Sequence, residues 1–586
     1  VAVTFSGTRM LTGGDGVDSI LVNVNEGVYT IAGSQGGTDT DTLTFGGVAS
    51  GAGVTVTYTA NEAGGYSFAG GGSGTFTQIE TLVTTAGDDV VNASVSTVGV
   101  NVSTGAGADS ITGGSGNDTV NAGTGTDTLA GGAGNDSLLG GDDADRFVVD
   151  VNECVDTITG GEGGTDSDTL VFGGVVSGAG VTATWTANEA GTYSFGGGGT
   201  GTFSQVEIVN GTAGNDTFNA AATTNGVNID AGAGTDSLTG GTGADTLTGG
   251  TGADSLNGGA GNDLLSGGDD ADTITVSLNQ GVDTITGGEG GTDSDTLTFG
   301  GVAAGPGVSV TFSGNEAGSY SFGGGGSGVF SQIEALNGTD GDDSFDAAAT
   351  TSGVNLSAGA GADTLIGGSG NDTLTGGTGS DQINAGAGAD VISSGDDQDT
   401  ITLTMGEANG DAVDGGEGGT DFDVLTLVGK YTIAYNPGDP ESGTINWRNG
   451  DTTTFTGIEQ INFIPCFTPG TTVETLRGPV RVEDIRPGDL VLTRDSGYRP
   501  VRWVGRRRLT APDLAANPAL QPVRIAAGAL GQALPARDMV VSPQHRMLLS
   551  GPAAELLSGE AEVLAAALHL TFLPGVTREK VGTVTY

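Results

Sequence analysis

The stretch GAGADSITGGSGNDTVNAGTGTDTLAGGAGNDSLLGGDDADRF, from Gly105 to Phe147, repeats a nine-residue unit of approximate form G-G-x-G-x-D-x-(apolar)-x. Its aspartates are Asp109, Asp118, Asp127, Asp136 and Asp145, each nine residues after the last. The same run returns with Asp236, Asp245, Asp254, Asp263 and Asp272, and again with Asp363, Asp372, Asp381, Asp390 and Asp399. Asp109, Asp236 and Asp363 are 127 residues apart. A short period nested in a long one is the mark of a solenoid.

The glycines of each unit permit tight turns with positive φ. The last three residues place one apolar side chain between small polar ones, as in a very short strand. Turn and strand, taken twice, make a flattened coil of eighteen residues, so units i and i+18 stack at about 4.8 Å. Asp109, Asp127 and Asp145 then fall in one column, and Asp118 and Asp136 in the opposite one. Two carboxylates about 5 Å apart repel by roughly 3 kcal/mol at an effective dielectric near 20, so a cation has to sit between coils. Carboxylate and turn-carbonyl oxygens suit Ca²⁺ better than Zn²⁺ or Mg²⁺. A disordered acidic tract is the competing reading. The regular apolar position (Ile111, Val120, Leu129, Leu138, then Leu238, Leu247, Leu256) argues against it.

These fifteen units resemble the calcium-binding nonapeptides of the RTX (hemolysin-type) family. The resemblance implies a parallel β-roll with Ca²⁺ held at several sites by the fifteen aspartates named above.

Charge is unevenly spread. Residues 466–586 hold 14 Lys and Arg against 11 Asp and Glu, whereas only Arg9, Arg146, Lys430 and Arg448 are basic before them. The part before residue 466 is therefore near −56 and the rest near +3, against a total of −53, and the break in composition marks a domain boundary there. Phosphate needs Lys and Arg, so the acidic part is not a nucleic-acid binder. No apolar run reaches 18 residues, and no membrane span is expected. No signal peptide is seen, but the chain opens on Val1 in mid-repeat and reads as a fragment. Two cysteines are too few for a disulfide framework. Cys154 fills the slot of Gly27 and Gly281 and reads as an incidental substitution.

One worn unit, GGDGVDSIL, opens the chain. Long modules follow, marked by GGTDTDTLTFGG (Gly36 to Gly47) and its copies at Gly163, Gly290 and, weaker, Gly418. Each marker leads into a spacer with ANEAGGYSF, ANEAGTYSF or GNEAGSYSF, then TFTQIETL or a close variant. Alternation such as VTVTYTA reads as strand. The spacers end in degenerate nonapeptide turns (AGDDVV, AGNDTF, DGDDSF), which predicts wider coils continuing the solenoid. TINWRNGDTTTFTGIEQINFIP, from Thr444 to Pro465, reads as a hairpin and a capping strand.

From Cys466 the sequence CFTPGTTVETLRGPVRVEDIRPGDLVLTRDSGYRPVRWVGRRR alternates short strands with turns, and VVSPQHRMLLSG follows at Val540. Residues 466–586 resemble the Hint domain, the hedgehog/intein autoprocessing fold, especially its bacterial form behind RTX-like repeats. The resemblance implies that Cys466 attacks the carbonyl carbon of Pro465, giving a thioester. An amide nitrogen is a poor leaving group and needs a proton. The family's T-x-x-H motif falls on Ser542-Pro543-Gln544-His545, which gives His545 that role and puts the Ser542 hydroxyl where Thr is usual. His569 reads as a packed or supporting residue. The chain ends at VGTVTY, short of the His- and Asp-bearing sequence usual in the family, so the last strands are expected to be missing. No terminal Asn followed by Cys, Ser or Thr supports splicing. Hydrolysis of the thioester, or its transfer to an outside nucleophile, is the expected fate.

The expected architecture is all-β: a parallel β-roll or β-solenoid followed by a compact all-β Hint domain. Its segments are 1–104 (solenoid with the worn repeat), 105–150 (RTX block 1), 151–231 (spacer), 232–275 (block 2), 276–358 (spacer), 359–403 (block 3), 404–465 (degenerate repeat and cap) and 466–586 (Hint domain, truncated). Two functions compete. One is a secreted calcium-binding repeat protein with a self-cleaving tail. The other is an extracellular adhesin or matrix protein with an inert Hint unit, whose surface ligand the sequence does not identify. A conventional hydrolase has no support: no H-E-x-x-H or G-x-S-x-G is present, and both histidines lie beyond residue 540.

Overall fold

The computed structural model describes residues 8–586 except 34–39, 152–153, 165–166, 292–293, 420–421, 430, 464–467, 487, 494–496, 502–507, 510–520, 531–533, 536, 544, 551–561, 572, 582 and 586. The chain divides into two compact units, Val1–Ala349 with Asn355–Gly359, and Thr350–Val354 with Ala360–Tyr586.

In the first unit, each nonapeptide contributes one short strand, and strands eighteen residues apart pair in parallel. Asn101–Ala106 pairs with Thr119–Thr124, and that with Ser137–Asp142. On the other side of the coil Ser110–Thr112 pairs with Thr128–Ala130, and that with Arg146–Asp150. Register brings like over like: Val102, Val120, Leu138 and Ile158 form one stack, and Ile111, Leu129, Phe147 and Leu170 another. All eight are buried, so the core is a file of single side chains between two sheets. Glycine is required where coils touch. Gly123 has φ +117°, and a Cβ there would run into the carbonyl oxygen of Gly105 one coil below.

The spacers are not simply wider coils. In the second module Ala179–Ala187, Ala190–Phe195 and Thr200–Ser204 form an antiparallel meander. Its outer strands rejoin the parallel ladder on Asn215–Asn219 and Val155–Thr159. Alternating patterns fit either strand direction; the turns decide. Glu189 at φ 55° and Gly198 and Gly199 at φ 110° and 101° supply the left-handed residues that reverse a chain tightly. Trp185 and Phe203 pack edge-on at 5.3 Å beneath the meander. Successive modules also swap faces. Asp88–Asn92 lies in one sheet, its counterpart Asn215–Asn219 in the other, and Asp342–Asp346 in the first again. A 127-residue period thus holds an odd number of half-coils.

The second unit repeats the pattern with Leu374, Ile392 and Val413 in one stack and Leu365 and Ile383 in another. Asp439–Trp447 and Thr452–Thr456 form the hairpin, and Gln460–Phe463 lies parallel to Val424–Val428 as the capping strand. Beyond it come small antiparallel sheets. Thr472–Thr475, Gly478–Arg481, Leu490–Thr493 and Gly497–Pro500 form one. Val523–Ile525 with Met539–Val541 and Val576–Arg578 forms another, around a core of Val523, Ile525, Val541, Ala567, Leu570 and Val576. The protein is all-β, and its repeat region is a parallel β-solenoid. Among the described residues no helix is long and apolar enough to cross a membrane.

Candidate metal columns

All fifteen nonapeptide aspartates are buried, and the coil stacking places them in the columns expected from their spacing. The link is specific. The main-chain N–H of each aspartate donates to the carboxylate one coil ahead: Asp109 to Asp127 at 2.7 Å, Asp127 to Asp145 at 2.8 Å, and on the other face Asp118 to Asp136 at 2.7 Å. The second block repeats this from Asp236 to Asp254 to Asp272 and from Asp245 to Asp263. The third does so from Asp363 to Asp381 to Asp399 and from Asp372 to Asp390.

One carboxylate oxygen is thereby used. In Asp109, Asp127, Asp136, Asp236, Asp254, Asp263, Asp381 and Asp390 the other oxygen is buried without a hydrogen-bond partner. Burial, aided by neighbouring carboxylates, pushes Asp127, Asp136, Asp254 and Asp381 up to about 7. It pushes Asp236, Asp263 and Asp390 up to about 6. A buried anionic oxygen facing a second anion is stable only with a proton or a cation. The four basic residues before residue 466 are far too few to supply the cations.

The donor set fits a hard cation. Among the described residues no three His, Cys, Asp or Glu side chains gather into a metal cluster. Each interval offers carboxylates from successive coils, and further oxygens would come from turn carbonyls, a mixture Ca²⁺ accepts.

The columns run further than the nonapeptide motif. Asp89 precedes Asp109, and Asp168 follows Asp145. Asp156, Asp283 and Asp411 extend the opposite columns, and Asp216, Asp295 and Asp423 are also members. The signal that could have found Asp156 and Asp283 is VDTITGG, which keeps the Asp-x-apolar step after a changed turn. Among the added members, Asp89, Asp156, Asp216 and Asp283 have both carboxylate oxygens hydrogen-bonded by protein groups. Asp89 accepts from the N–H of Val54 and of Thr85 and from the hydroxyls of Thr84 and Thr85. Asp168 donates its own N–H to Glu207 at 2.6 Å.

In the C-terminal region Cys466 and Pro465 lie outside the described residues. Ser542 is buried and His545 half-buried, with the His545 N–H donating to the Ser542 carbonyl at 3.0 Å. Burial pushes the His545 imidazole below its ordinary range. Thr468 is tied to the carbonyl of Val540, two residues before Ser542, by its N–H at 3.2 Å and its hydroxyl at 2.6 Å. The side chain of His569 lies outside the described residues. Cys154 is exposed and unpaired as a thiol.

Two families match. Residues 101–150, 228–274 and 355–401 match the RTX calcium-binding nonapeptide repeat in overlapping copies, and residues 465–586 match the Hint domain. No curated protein matches the chain. Among solved structures, the crystal structure of the extracellular lipase LipA from Serratia marcescens is similar at 16% identity with a TM-score of 0.13. The match covers 44% of this chain and 45% of that one, less than half of the lipase's length. The chain carries RTX calcium-binding nonapeptide repeats and a C-terminal Hint domain.

Proposed function

We propose that a chain built of RTX repeats and a C-terminal Hint domain works as a secreted calcium-binding protein whose tail cuts itself free at Pro465–Cys466. The observation that carries the calcium part is the second carboxylate oxygen of Asp109, Asp127, Asp136, Asp236, Asp254, Asp263, Asp381 and Asp390, buried inside the stacked coils without a hydrogen-bond partner. Asp109, Asp127 and Asp145 would hold Ca²⁺ on one face and Asp118 and Asp136 on the other, with the corresponding aspartates of the second and third blocks. The ion supplies positive charge and extra ligation between coils. The protein supplies the spacing, the exclusion of water and the fixed orientation of each carboxylate. Extracellular Ca²⁺ modules work at about 10⁻⁴ to 10⁻³ M. At tenfold excess over Kd each site adds about 1.4 kcal/mol, so several sites per block would delay folding until after export from a low-calcium cytosol. The test is far-UV circular dichroism of the full chain in chelator and in millimolar Ca²⁺. A β signal that grows on adding Ca²⁺ is expected; an unchanged one refutes the reading.

For the tail, Cys466 is the nucleophile, His545 donates the proton that the leaving nitrogen of Cys466 needs, and the Ser542 hydroxyl polarises the site. The chemistry is an N-to-S acyl shift: the Cys466 sulfur bonds to the Pro465 carbonyl carbon, the Pro465–Cys466 C–N bond breaks, and the proton goes to that nitrogen. Water then releases residues up to Pro465. The anchoring of Thr468 beside the Ser542–His545 turn supports this arrangement. Intact mass before and after thiol treatment tests it, with Cys466→Ala as the silent control. Full-length protein in both samples would leave the adhesin or matrix reading with an inert tail.

A further inference from the structure

The last aspartates of the second columns do not all meet the same end. Asp156 closes the column Asp118–Asp136–Asp156, and its free carboxylate oxygen accepts the hydroxyl of Tyr193 at 3.0 Å. Asp283 closes the next column and accepts the hydroxyl of Tyr320 at 2.8 Å. Both tyrosines sit in the antiparallel meander, opposite a glycine: Tyr193 pairs with Gly201 and Tyr320 with Gly328. That glycine leaves room for the ring. A Cβ on Gly328 would stand 2.6 Å from the Tyr320 hydroxyl.

The other two modules break the pair, each in its own way. In the first, Tyr66 keeps its place, but Tyr29 stands where the column aspartate would be, opposite Gly74. The Tyr66 hydroxyl is buried without a partner. In the last, the column aspartate Asp411 is kept and the tyrosine is lost. The segment ESGTINW aligns with EAGTYSF, and Ile445 pairs with Thr453 as Tyr193 pairs with Gly201. Ile445 has nothing to donate. The Thr453 hydroxyl is spent on the Ala408 carbonyl at 2.6 Å and accepts the Trp447 indole N–H. Asp411 is 1% exposed, and its second oxygen has no hydrogen-bond partner. Asp390, 0% exposed, faces it along the column with its own second oxygen equally bare.

We propose that Asp390 and Asp411 hold a divalent cation that the matching pairs Asp136–Asp156 and Asp263–Asp283 do not, because Tyr193 and Tyr320 plug those two. A tyrosine hydroxyl gives a buried carboxylate one neutral donor and so removes it as an available ligand. The third block then takes one more Ca²⁺ than the first or the second. The inference rests on the calcium reading above and concerns which intervals are open.

The test counts Ca²⁺ bound to the full chain by equilibrium dialysis at saturating Ca²⁺. Tyr193→Phe together with Tyr320→Phe removes two hydroxyls and little else, and is expected to add two ions per chain. Ile445→Tyr with Thr453→Gly rebuilds the plug and is expected to remove one. Equal counts for the wild type and the Tyr→Phe double variant overturn the inference and leave the calcium reading standing. A wild type that binds no Ca²⁺ overturns both.

Discussion

Removing Ca²⁺ should make the roll's stability depend on pH in an unusual direction. Asp127 is 0% exposed, between Asp109 and Asp145, and its folded carboxyl sits at about 7 against 3.8 in an open chain. Below about pH 3.8 both states hold the proton and nothing is lost. As pH rises from there the unfolded chain ionises freely while the folded one resists, so folding weakens, and above about pH 7 the full penalty applies. Three units at 1.36 kcal/mol each come to about 4 kcal/mol for this one group. Asp136, Asp254 and Asp381 carry the same shift. Two or three such groups match the 5–15 kcal/mol that holds a typical domain together. In chelator the β signal should survive near pH 5 and collapse by pH 7.5, whereas in millimolar Ca²⁺ it should persist at both.

Overall charge repulsion also eases at low pH, so a single substitution has to separate the two causes. Asp127→Asn keeps the acceptor for the Asp109 N–H and removes the charge. It forgoes about 4 kcal/mol of penalty and leaves a buried amide N–H unsatisfied at about 1–3 kcal/mol, a net gain of roughly 1–3 kcal/mol in chelator at pH 7.5. In Ca²⁺ the sign should reverse, because the proposed ligand is gone. Glu289→Gln, on an exposed side chain, removes the same formal charge and should do neither. Urea midpoints for the three proteins with and without Ca²⁺ decide it. An Asp127→Asn variant that destabilises the chelated chain, or one that behaves like Glu289→Gln, would refute the reasoning.

Leu129→Ala opens a hole between Ile111 and Phe147 and should lower stability in Ca²⁺ by about 2–5 kcal/mol, read from a denaturant titration. Gly123→Ala sets a Cβ against the Gly105 carbonyl at a positive φ, so the coil has to separate there; hydrogen exchange should show lost protection across Thr119–Thr124. His545→Ala should leave the Hint region folded and slow thiol-induced cleavage at least about tenfold, within the range that general acid–base catalysis contributes, as read by intact mass.

The repeat period was legible because every structural demand of the coil is written at a fixed offset. Gly123 answers a carbonyl contact, Leu129 a slot in the core stack, and Asp127 a column, and each recurs in neighbouring units. The meanders were less legible. VTATWTA alternates as any half-buried strand does, and direction is set by a turn at Asn188-Glu189 in which a glutamate takes positive φ, a choice its side chain does not announce. Asp156 and Asp283 escaped the motif because the turn before them lost its Gly-Gly pair while their place in the register stayed. The pairing of Tyr193 with Asp156 spans 37 residues and exists only once a hairpin folds back over the coil. No local pattern carries it.

The same geometry says where the carboxylate rows stop. The position before Asp118 is taken by Val100 and the position before Asp245 by Val227; each gives its N–H to that aspartate and sends no carboxylate of its own. On the other face the rows start at Asp89 and Asp216. Asp216 accepts the N–H of Val181 and both the N–H and hydroxyl of Thr212, donors that take the place a cation would have at Asp127 in the proposed calcium row. A row bounded by hydrogen-bonded or apolar positions has no reason to pass its occupancy to the next row. Asp109–Asp145 and Asp236–Asp272 should therefore fill as separate groups. Asp127→Asn should weaken Ca²⁺ binding in its own block and leave the block of Asp254 at its original affinity, which calorimetric titration of the variant resolves. A uniform loss across both blocks would mean that the Val and Thr positions do not insulate them.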